Sequence, residues 1–272
     1  MIFKYISVTL DIHKYGGMKD NKGRFKKGVS ASPKTQFKRG QHWRKEQVFR
    51  QKDWLISEYI EKIRSTGDIA KQFITLGGKP VIVHTLERFL SVSLPLEIIL
   101  VLPADYKEYW KDYCFQNNLT FRHTLVTGGI TRFHSVKSAL KYVKRGGIVA
   151  VHDGVRPFIS PGYIEELYKI ADSKGAVVPV IVPADSMRVK NRDGSTTVVD
   201  RDDYYLVQTP QVFGSDTLID AYNQAYSTSF TDDASVVEGM GVTIHTVAGK
   251  PTNIKLTKPE DLLLARAILS VF

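Results

Sequence analysis

The apolar positions fall into two regimes that meet near residue 65. From Lys71 onward, strand-like and helix-like stretches alternate as they do in βα units. GKPVIVHTLERFL predicts an amphipathic helix after a glycine turn, and EIILVLP (residues 97–103) a continuous apolar strand. A Tyr- and Trp-bearing helix then runs to about Asn118, and HTLVTGG is the next strand. HSVKSALKYVKRGG predicts a helix, GIVAVHD (147–153) a buried strand, PGYIEELYKIADSKG a helix, and GAVVPVIVP another buried strand. MRVKNRDGSTTVV alternates around an Asp-Gly turn, the mark of a hairpin. TKPEDLLLARAIL closes the chain as a helix, with Thr257 and Glu260 spaced as a capping box and Pro259 in its first turn. The class is α/β: an open, mostly parallel, Rossmann-like sheet with a protruding β-arm. Sites in such sheets lie beyond the carboxyl ends of the strands.

Before that point the rhythm is absent. Residues 18–42 show no apolar periodicity and carry the loose repeats GRFKKG and TQFKRG, which predict a mobile arm. Trp54, Leu55, Ile60 and Ile63 then recur at helical spacing, with Asp53 as N-cap. KDWLISEYIEKIRSTGDIAK resembles the opening helices of helix-turn-helix modules, cut short because no recognition helix follows Phe73. The alternative is a solvated basic tail with one helix. The expected division is therefore a basic, partly disordered segment with one helix over residues 1–63 and an α/β domain over residues 64–272.

Charge sharpens this division. The 272-residue chain has a net charge of +10, and residues 19–52 hold twelve Lys or Arg against Asp20 and Glu46, which is the whole excess. Any nucleic-acid contact by 19–52 is expected to be weak and sequence-independent, and the rest of the chain takes no part in it. Cys114 is the single cysteine, which excludes an internal disulfide and any cysteine-cluster metal site. No apolar run approaches bilayer length, and the N-terminus lacks the order of a signal peptide, so a cytoplasmic protein is expected.

Polar clusters fall at the predicted strand ends: AKQFITLGGKP, TGGITRFHSV, VHDGVRPF, VDRDDYYLVQTPQVF, and TDDAS with NIKLTKPED. Taken singly, Lys71 or Arg156 reads as a solvated charge and His152 as a packing residue. VHDGVRPF says more, because a buried strand ends in an Asp that suits a metal or a ribose. Arg156 follows it on a turn fixed by Pro157 and offers a fork for phosphate.

In order and spacing these clusters resemble the family of 2-C-methyl-D-erythritol 4-phosphate cytidylyltransferases and their ribitol-5-phosphate relatives. The motifs are KQF-x-x-x-x-GKP-x-x-x-HTL, GG-x-x-R-x-x-SV, VHDG-x-RPF, DR…QTPQ-x-F, TDDAS-x-VE and NIK-x-T-x-PEDL. The resemblance implies transfer of a cytidylyl group from CTP to a polyol phosphate, in the non-mevalonate route to isoprenoid precursors, with pyrophosphate leaving. It implies that Lys71 and Arg64 act at the triphosphate and that Arg201 and Lys255 hold the acceptor phosphate. Gly128, Gly129, Ser135 and Asp153 match nucleotide-binding positions; Arg156, Ser186, Thr209 and Thr231 match pocket positions. Mg²⁺ is implied, bound mainly through the CTP phosphates, and so is a homodimer joined through the arm at residues 185–200. Lys71, Asp153, Arg156, Arg201 and Lys255 are expected on one concave surface.

One departure changes the expectation for turnover. Members of this family begin with a strand and a Gly-rich loop whose backbone N–H groups cradle the triphosphate. Here Arg64 keeps the spacing to Lys71, but Ile60 and Lys62 stand at two glycine positions and Ala70 replaces the usual Pro. The chain is expected to be a slow enzyme, with residues 1–63 dispensable for what activity remains. Residues 2–10, followed by Gly16 and Gly17, offer a surrogate edge strand. Two readings of another kind stand beside the enzyme: a DNA-binding protein led by the basic arm, and a catalytically dead fold kept as a binding module.

Overall fold

The computed structural model describes residues 5–10, as a strand, and residues 70–271. The basic stretch 19–52, the helix expected from Asp53, and Arg64 lie outside the described residues.

The strands are β1 (Tyr5–Leu10), β2 (Thr75–Leu76), β3 (Lys79–Pro80), β4 (Leu96–Leu102), β5 (His123–Thr127), β6 (Ile148–Asp153), β7 (Ala176–Ile181), β8 (Met187–Lys190), β9 (Thr196–Val199), β10 (Leu206–Val207), β11 (Gln211–Gly214) and β12 (His245–Ala248). The helices are α1 (Val81–Leu90), α2 (Lys107–Gln116), α3 (Arg132–Leu140), α4 (Pro161–Lys174), α5 (Ser215–Ala221), α6 (Asp233–Glu238) and α7 (Asp261–Val271). One sheet runs in the order β10-β7-β11-β6-β1-β4-β5, with β12 pairing β7. β4 and β5 pair in parallel, as do β7 and β12; β1, β10 and β11 pair antiparallel to their neighbours. It follows that β4, β5, β6, β7 and β12 all run one way. Their carboxyl ends share one edge, where Leu102, Thr127, Asp153 and Ile181 close their strands.

Strand periodicity sorts the apolar side chains into two cores. Ile98, Leu100, Leu102, Ile148, Ala150 and Val177 face one side, where they meet Leu86, Phe89, Trp110, Leu167 and Tyr168 from α1, α2 and α4. Ile99, Val101, Val149, Val151 and Val178 face the other, against Phe133, Val136, Leu218 and Val236 from α3, α5 and α6. All six positions of β6 are buried, as a strand covered by helices on both faces must be. A third cluster docks α7 through Ala265 and Ile268 onto Leu76, Val81 and Phe158. This is the α/β class the pattern predicts, with the arm present as a separate β8-β9 hairpin turning at Gly194, φ 86°.

Two local expectations are corrected. The surrogate strand is present, but at the centre of the sheet rather than its edge. Tyr5–Leu10 pairs with Leu96–Val101 on one side and with Ile148–Asp153 on the other. Tyr5–Leu10 is therefore the neighbour that β4 and β6 share within the sheet. β1 also runs against both, so the chain leaves it at the edge opposite Asp153. The second correction concerns the start of the last helix, where Asp261 rather than Glu260 reaches back to Thr257. The Asp261 carboxylate accepts from the backbone N–H groups of Thr257 (2.7 Å) and Lys258 (2.8 Å) and from the Thr257 hydroxyl (3.1 Å). These donors hold its carboxyl below the usual range, although burial acts the other way. A carboxylate one residue later reaches both N–H groups ahead of the helix, which a capping box at Thr257 does not require.

Candidate active site

The site is built around the end of β6. That strand is buried throughout, so its last residue, Asp153, is fixed at the sheet edge with only 4% of its surface exposed. A buried carboxylate needs partners, and two cations supply them. Arg156 Nε lies 3.2 Å and Lys255 Nζ 3.0 Å from Asp153 Oδ2. Burial alone would raise the Asp153 carboxyl, but Lys255 foremost, then Arg156 and Arg132, bring it down to about 2. One carboxylate between two cations leaves a net positive site, as an incoming phosphate requires.

Hydrogen bonds lock the cluster in place. The Asp153 N–H donates to Thr209 Oγ1 (3.0 Å), and Arg156 donates from Nη1 to the Asn253 carbonyl (2.8 Å). Asn253 is fully buried and donates through Nδ2 to the Thr209 carbonyl (2.8 Å), so NIK and QTPQ close on each other. Behind them His152, with no exposed surface, bridges the Arg156 carbonyl from Nε2 (3.0 Å) and Thr209 Oγ1 from Nδ1 (3.2 Å). Burial drives its imidazole down to about 4. A neutral ring with the proton on Nε2 satisfies both contacts, donating to the carbonyl and accepting from the hydroxyl. His152 is thus a packing residue that also sets the turn holding Arg156.

Lys71 stands in a single 3₁₀ turn, Lys71–Phe73, anchored by buried Gln72 and Phe73. Its Nζ donates to the Thr257 carbonyl, and Lys71, Thr257 and Leu256 line one recess. Two residues before Thr257 is Lys255, so Lys71 and Asp153 lie on the same side of the sheet edge.

The nucleotide-binding candidates follow β5, whose partner β4 places them along the same edge. The Gly128 N–H donates to the Leu102 carbonyl (2.8 Å), and the Gly129 N–H to Ser135 Oγ (3.1 Å). Ser135 Oγ itself reaches the Thr131 carbonyl at 2.9 Å and is 1% exposed, so its hydroxyl shapes the loop from within. A Cβ on Gly129 would stand 2.4 Å from His134 Cβ and 3.0 Å from its backbone carbon, so only glycine fits there. The backbone at Gly129 and Ile130 is left open beside a groove that His134 and Lys137 also line.

The remaining candidates stand apart from this cluster. Arg201 donates to the Ala184 carbonyl (2.5 Å) at the root of the arm, where Ser186 is exposed. Thr231 is exposed immediately before Asp232, the residue that caps α6. Arg64 lies outside the described residues. Of the five residues expected on one surface, Asp153, Arg156 and Lys255 are in direct contact, Lys71 joins them through Thr257, and Arg201 is turned instead to the Ala184 carbonyl. The residues sequence reasoning passed over are Gln208, Asn253, Arg132 and Asp233. All four lie inside the quoted motifs, but nothing in a string of letters shows which motif touches which.

A protein-family model described as 2-C-methyl-D-erythritol 4-phosphate cytidylyltransferase matches residues 62–271. The enzyme of that name from Phocaeicola vulgatus is 50% identical over 207 residues, covering 76% of this chain and 94% of its own. Its counterpart from Bacteroides thetaiotaomicron is 46% identical over the same coverage. Among solved structures, the enzyme of that name from Thermus thermophilus aligns with a TM-score of 0.63 and 30% identity, covering 74% of this chain and 93% of that one. The 4-diphosphocytidyl-2C-methyl-D-erythritol synthase of Anaerococcus prevotii aligns with a TM-score of 0.65 and 28% identity, covering 74% and 90%.

Proposed function

The chain belongs to the 2-C-methyl-D-erythritol 4-phosphate cytidylyltransferase family, and from that premise we propose how its own residues carry the reaction. It is a CTP-dependent nucleotidyltransferase of isoprenoid precursor synthesis. A phosphate oxygen of the acceptor attacks the α-phosphorus of CTP, one P–O bond forms, the bond to the β-phosphate breaks, and pyrophosphate departs. No covalent enzyme intermediate is needed, so catalysis rests on position and on fixed positive charge. The relatives favour methylerythritol phosphate over ribitol phosphate as acceptor.

The observation that carries this reading is the Asp153-Arg156-Lys255-Thr209 cluster, with Lys71 beside it at the strand ends. Lys71, exposed and bonded among the described residues to one carbonyl, that of Thr257, can turn toward the triphosphate. Lys255, 41% exposed at its side chain, presents its charge to the acceptor phosphate while Asp153 fixes its position. Arg156 spends its donors inside the cluster and so sets the shape of the pocket. Gly128, Gly129 and Ser135 shape the loop that receives the base. A divalent cation of the Mg²⁺ type would arrive on the triphosphate. No group of three His, Cys, Asp or Glu among the described residues holds one. Asp153 nevertheless offers one ionised carboxylate, which suits a cation whose other ligands are phosphate oxygens and water. When bound, it neutralises charge on the phosphates.

A second copy completes the site in this proposal. The arm and the strand after it expose Val189 (46%), Val198 (67%), Tyr205 (54%), Leu206 (50%) and Val207 (44%), too much apolar surface to face water alone. Arg201 and Ser186 sit on that same segment, away from the cluster of their own subunit. A homodimer in which the arm reaches the neighbour's site accounts for both facts, and sedimentation at micromolar concentration checks it. A cytoplasmic location suits water-soluble phosphorylated substrates, and no helix among the described residues is long and apolar enough to cross a membrane. The cations of residues 19–52 would add weak, salt-sensitive contact with nucleic acid, which a salt-titrated mobility shift tests.

The test of the function is pyrophosphate release from CTP with each polyol phosphate. Methylerythritol phosphate supports release and ribitol phosphate does not; Lys71→Ala removes most of the rate. Release with neither acceptor overturns the proposal.

A further inference from the structure

Arg132 and Asp233 are 101 residues apart in sequence, yet they form the most enclosed ion pair at the site edge. Asp233 has no exposed surface. Its Oδ1 accepts from Arg132 Nη1 at 2.6 Å and from the Tyr222 hydroxyl at 2.6 Å, while Oδ2 accepts from Arg132 Nη2. Phe133 stacks on Tyr222, ring centroids 4.7 Å apart. Such a fork between a planar guanidinium and a carboxylate fixes direction as well as distance.

The pair stands where two halves of the site meet. Arg132 opens α3, directly after the Gly128-Gly129 loop, and Thr131 caps that helix by accepting from the His134 N–H. Asp233 opens α6, whose cap Asp232 accepts from Gln211 Nε2 (2.7 Å), while the Ala234 N–H donates to Gln211 Oε1 (2.9 Å). Gln211 starts β11, two residues after Thr209, which holds Asp153. The Gly129 amide is tied through Ser135 to the Thr131 carbonyl next to Arg132, and Arg132 to Asp233. The two residues flanking Asp233 are tied to Gln211, and Thr209, two residues before Gln211, to the Asp153 amide. Arg132 is close enough to Asp153 for its charge to act on that carboxylate.

We propose that Asp233, seconded by Tyr222, is a positioning residue for the nucleotide half of the site. By aiming Arg132 it sets where the Gly128-Gly129 loop stands relative to Asp153. This rests on the functional reading above, but one arm of its test does not.

The variants are Asp233→Asn, which keeps the shape and removes the charge, and Tyr222→Phe, which keeps the ion pair and removes one donor. Hydrogen exchange of the ligand-free protein reads the loop directly. Amides of residues 128–135 exchange faster in Asp233→Asn, and less so in Tyr222→Phe, while those of β4 and β6 keep their protection. In steady state kcat/KM for CTP falls between ~10- and ~100-fold, the scale of a displacement of about 1 Å in a positioned group, with the larger share in KM. Unchanged exchange in residues 128–135 overturns the proposal, as does an equal fall in protection across the whole sheet. Should Asp233→Asn fail to fold, Tyr222→Phe decides on the same two outcomes. If the unaltered protein releases no pyrophosphate, the functional reading fails while the exchange result still decides this one.

Discussion

Placing proline in β1 tests the least expected feature of the fold. Val8 lies opposite Ile98 of β4 and Ala150 of β6. In a central antiparallel strand every N–H is turned toward one neighbour or the other, and both neighbours of Val8 are described strands. Val8→Pro removes that donor and leaves a carbonyl of β4 or β6 unpaired where no water reaches it. The orphaned group alone costs about 1–3 kcal/mol, before any clash of the ring with the ladder. For a domain of this size each kcal/mol moves Tm by about 2–4 °C, so calorimetry should show a fall of roughly 2–12 °C. Deleting residues 1–10 should do more, because β4 and β6 then lose every bond to β1. A Tm for Val8→Pro within ~1 °C of the unaltered chain would show that Tyr5–Leu10 does not fill the centre of the sheet.

Further outcomes follow from the site. Gly129→Ala drives a methyl into the Cβ and backbone of His134, so the start of α3 must shift; it should both raise the KM for CTP and lower Tm, read by steady-state kinetics and calorimetry together. Asp153 has a carboxyl lowered to about 2. Its stabilisation is complete above its unfolded value near 4 and is lost as pH falls from there to about 2. Acid unfolding of Asp153→Asn should lack that component, on the order of 2 kcal/mol. His152, lowered to about 4, works in the opposite chemical sense but the same direction of pH. The unfolded ring takes up a proton below about 6.5 and the folded one does not, so its contribution is full above 6.5 and fades toward pH 4. Nitrogen chemical shifts of His152 should therefore report a neutral ring, protonated at Nε2, at pH 5.5.

The βα alternation from Lys71 onward was legible because buried strands such as IVAVHD are continuously apolar and each helix is amphipathic. The site's edge was legible for the same reason, since parallel strands put Gly128 and Asp153 at one end; the QTPQ turn joins them because β11 runs the other way. YISVTL can be recognised as strand-forming, but its place and direction cannot be read. Those depend on which sheet slot is vacant, and 59 residues separate Leu10 from Ala70. The pairing of Arg132 with Asp233 and of Asn253 with Thr209 was hidden because contacts between distant motifs leave no mark on local periodicity. That Asp261 rather than Glu260 reaches back to Thr257 turns on side-chain reach, which spacing alone does not fix. Ser135 illustrates a subtler limit: the motif does not show that its hydroxyl is turned into the loop.

The central claim is that this chain transfers a cytidylyl group although β1 runs so that no loop can leave it directly at the phosphate edge. Three phosphates ordinarily meet preorganised N–H donors, and the loss of one such donor costs about 2.7–4 kcal/mol in other enzymes, or about 10²–10³ in rate. The most direct measurement is steady-state pyrophosphate release from CTP and methylerythritol phosphate by the full chain. It is set against a chimera in which a Gly-rich strand and loop replace residues 1–70. The account predicts release by both, dependent on Lys71 and Lys255, with the chimera faster by at least two orders of magnitude. Equal rates would contradict it, by showing that the segment ahead of Lys71 supplies the phosphate site in full.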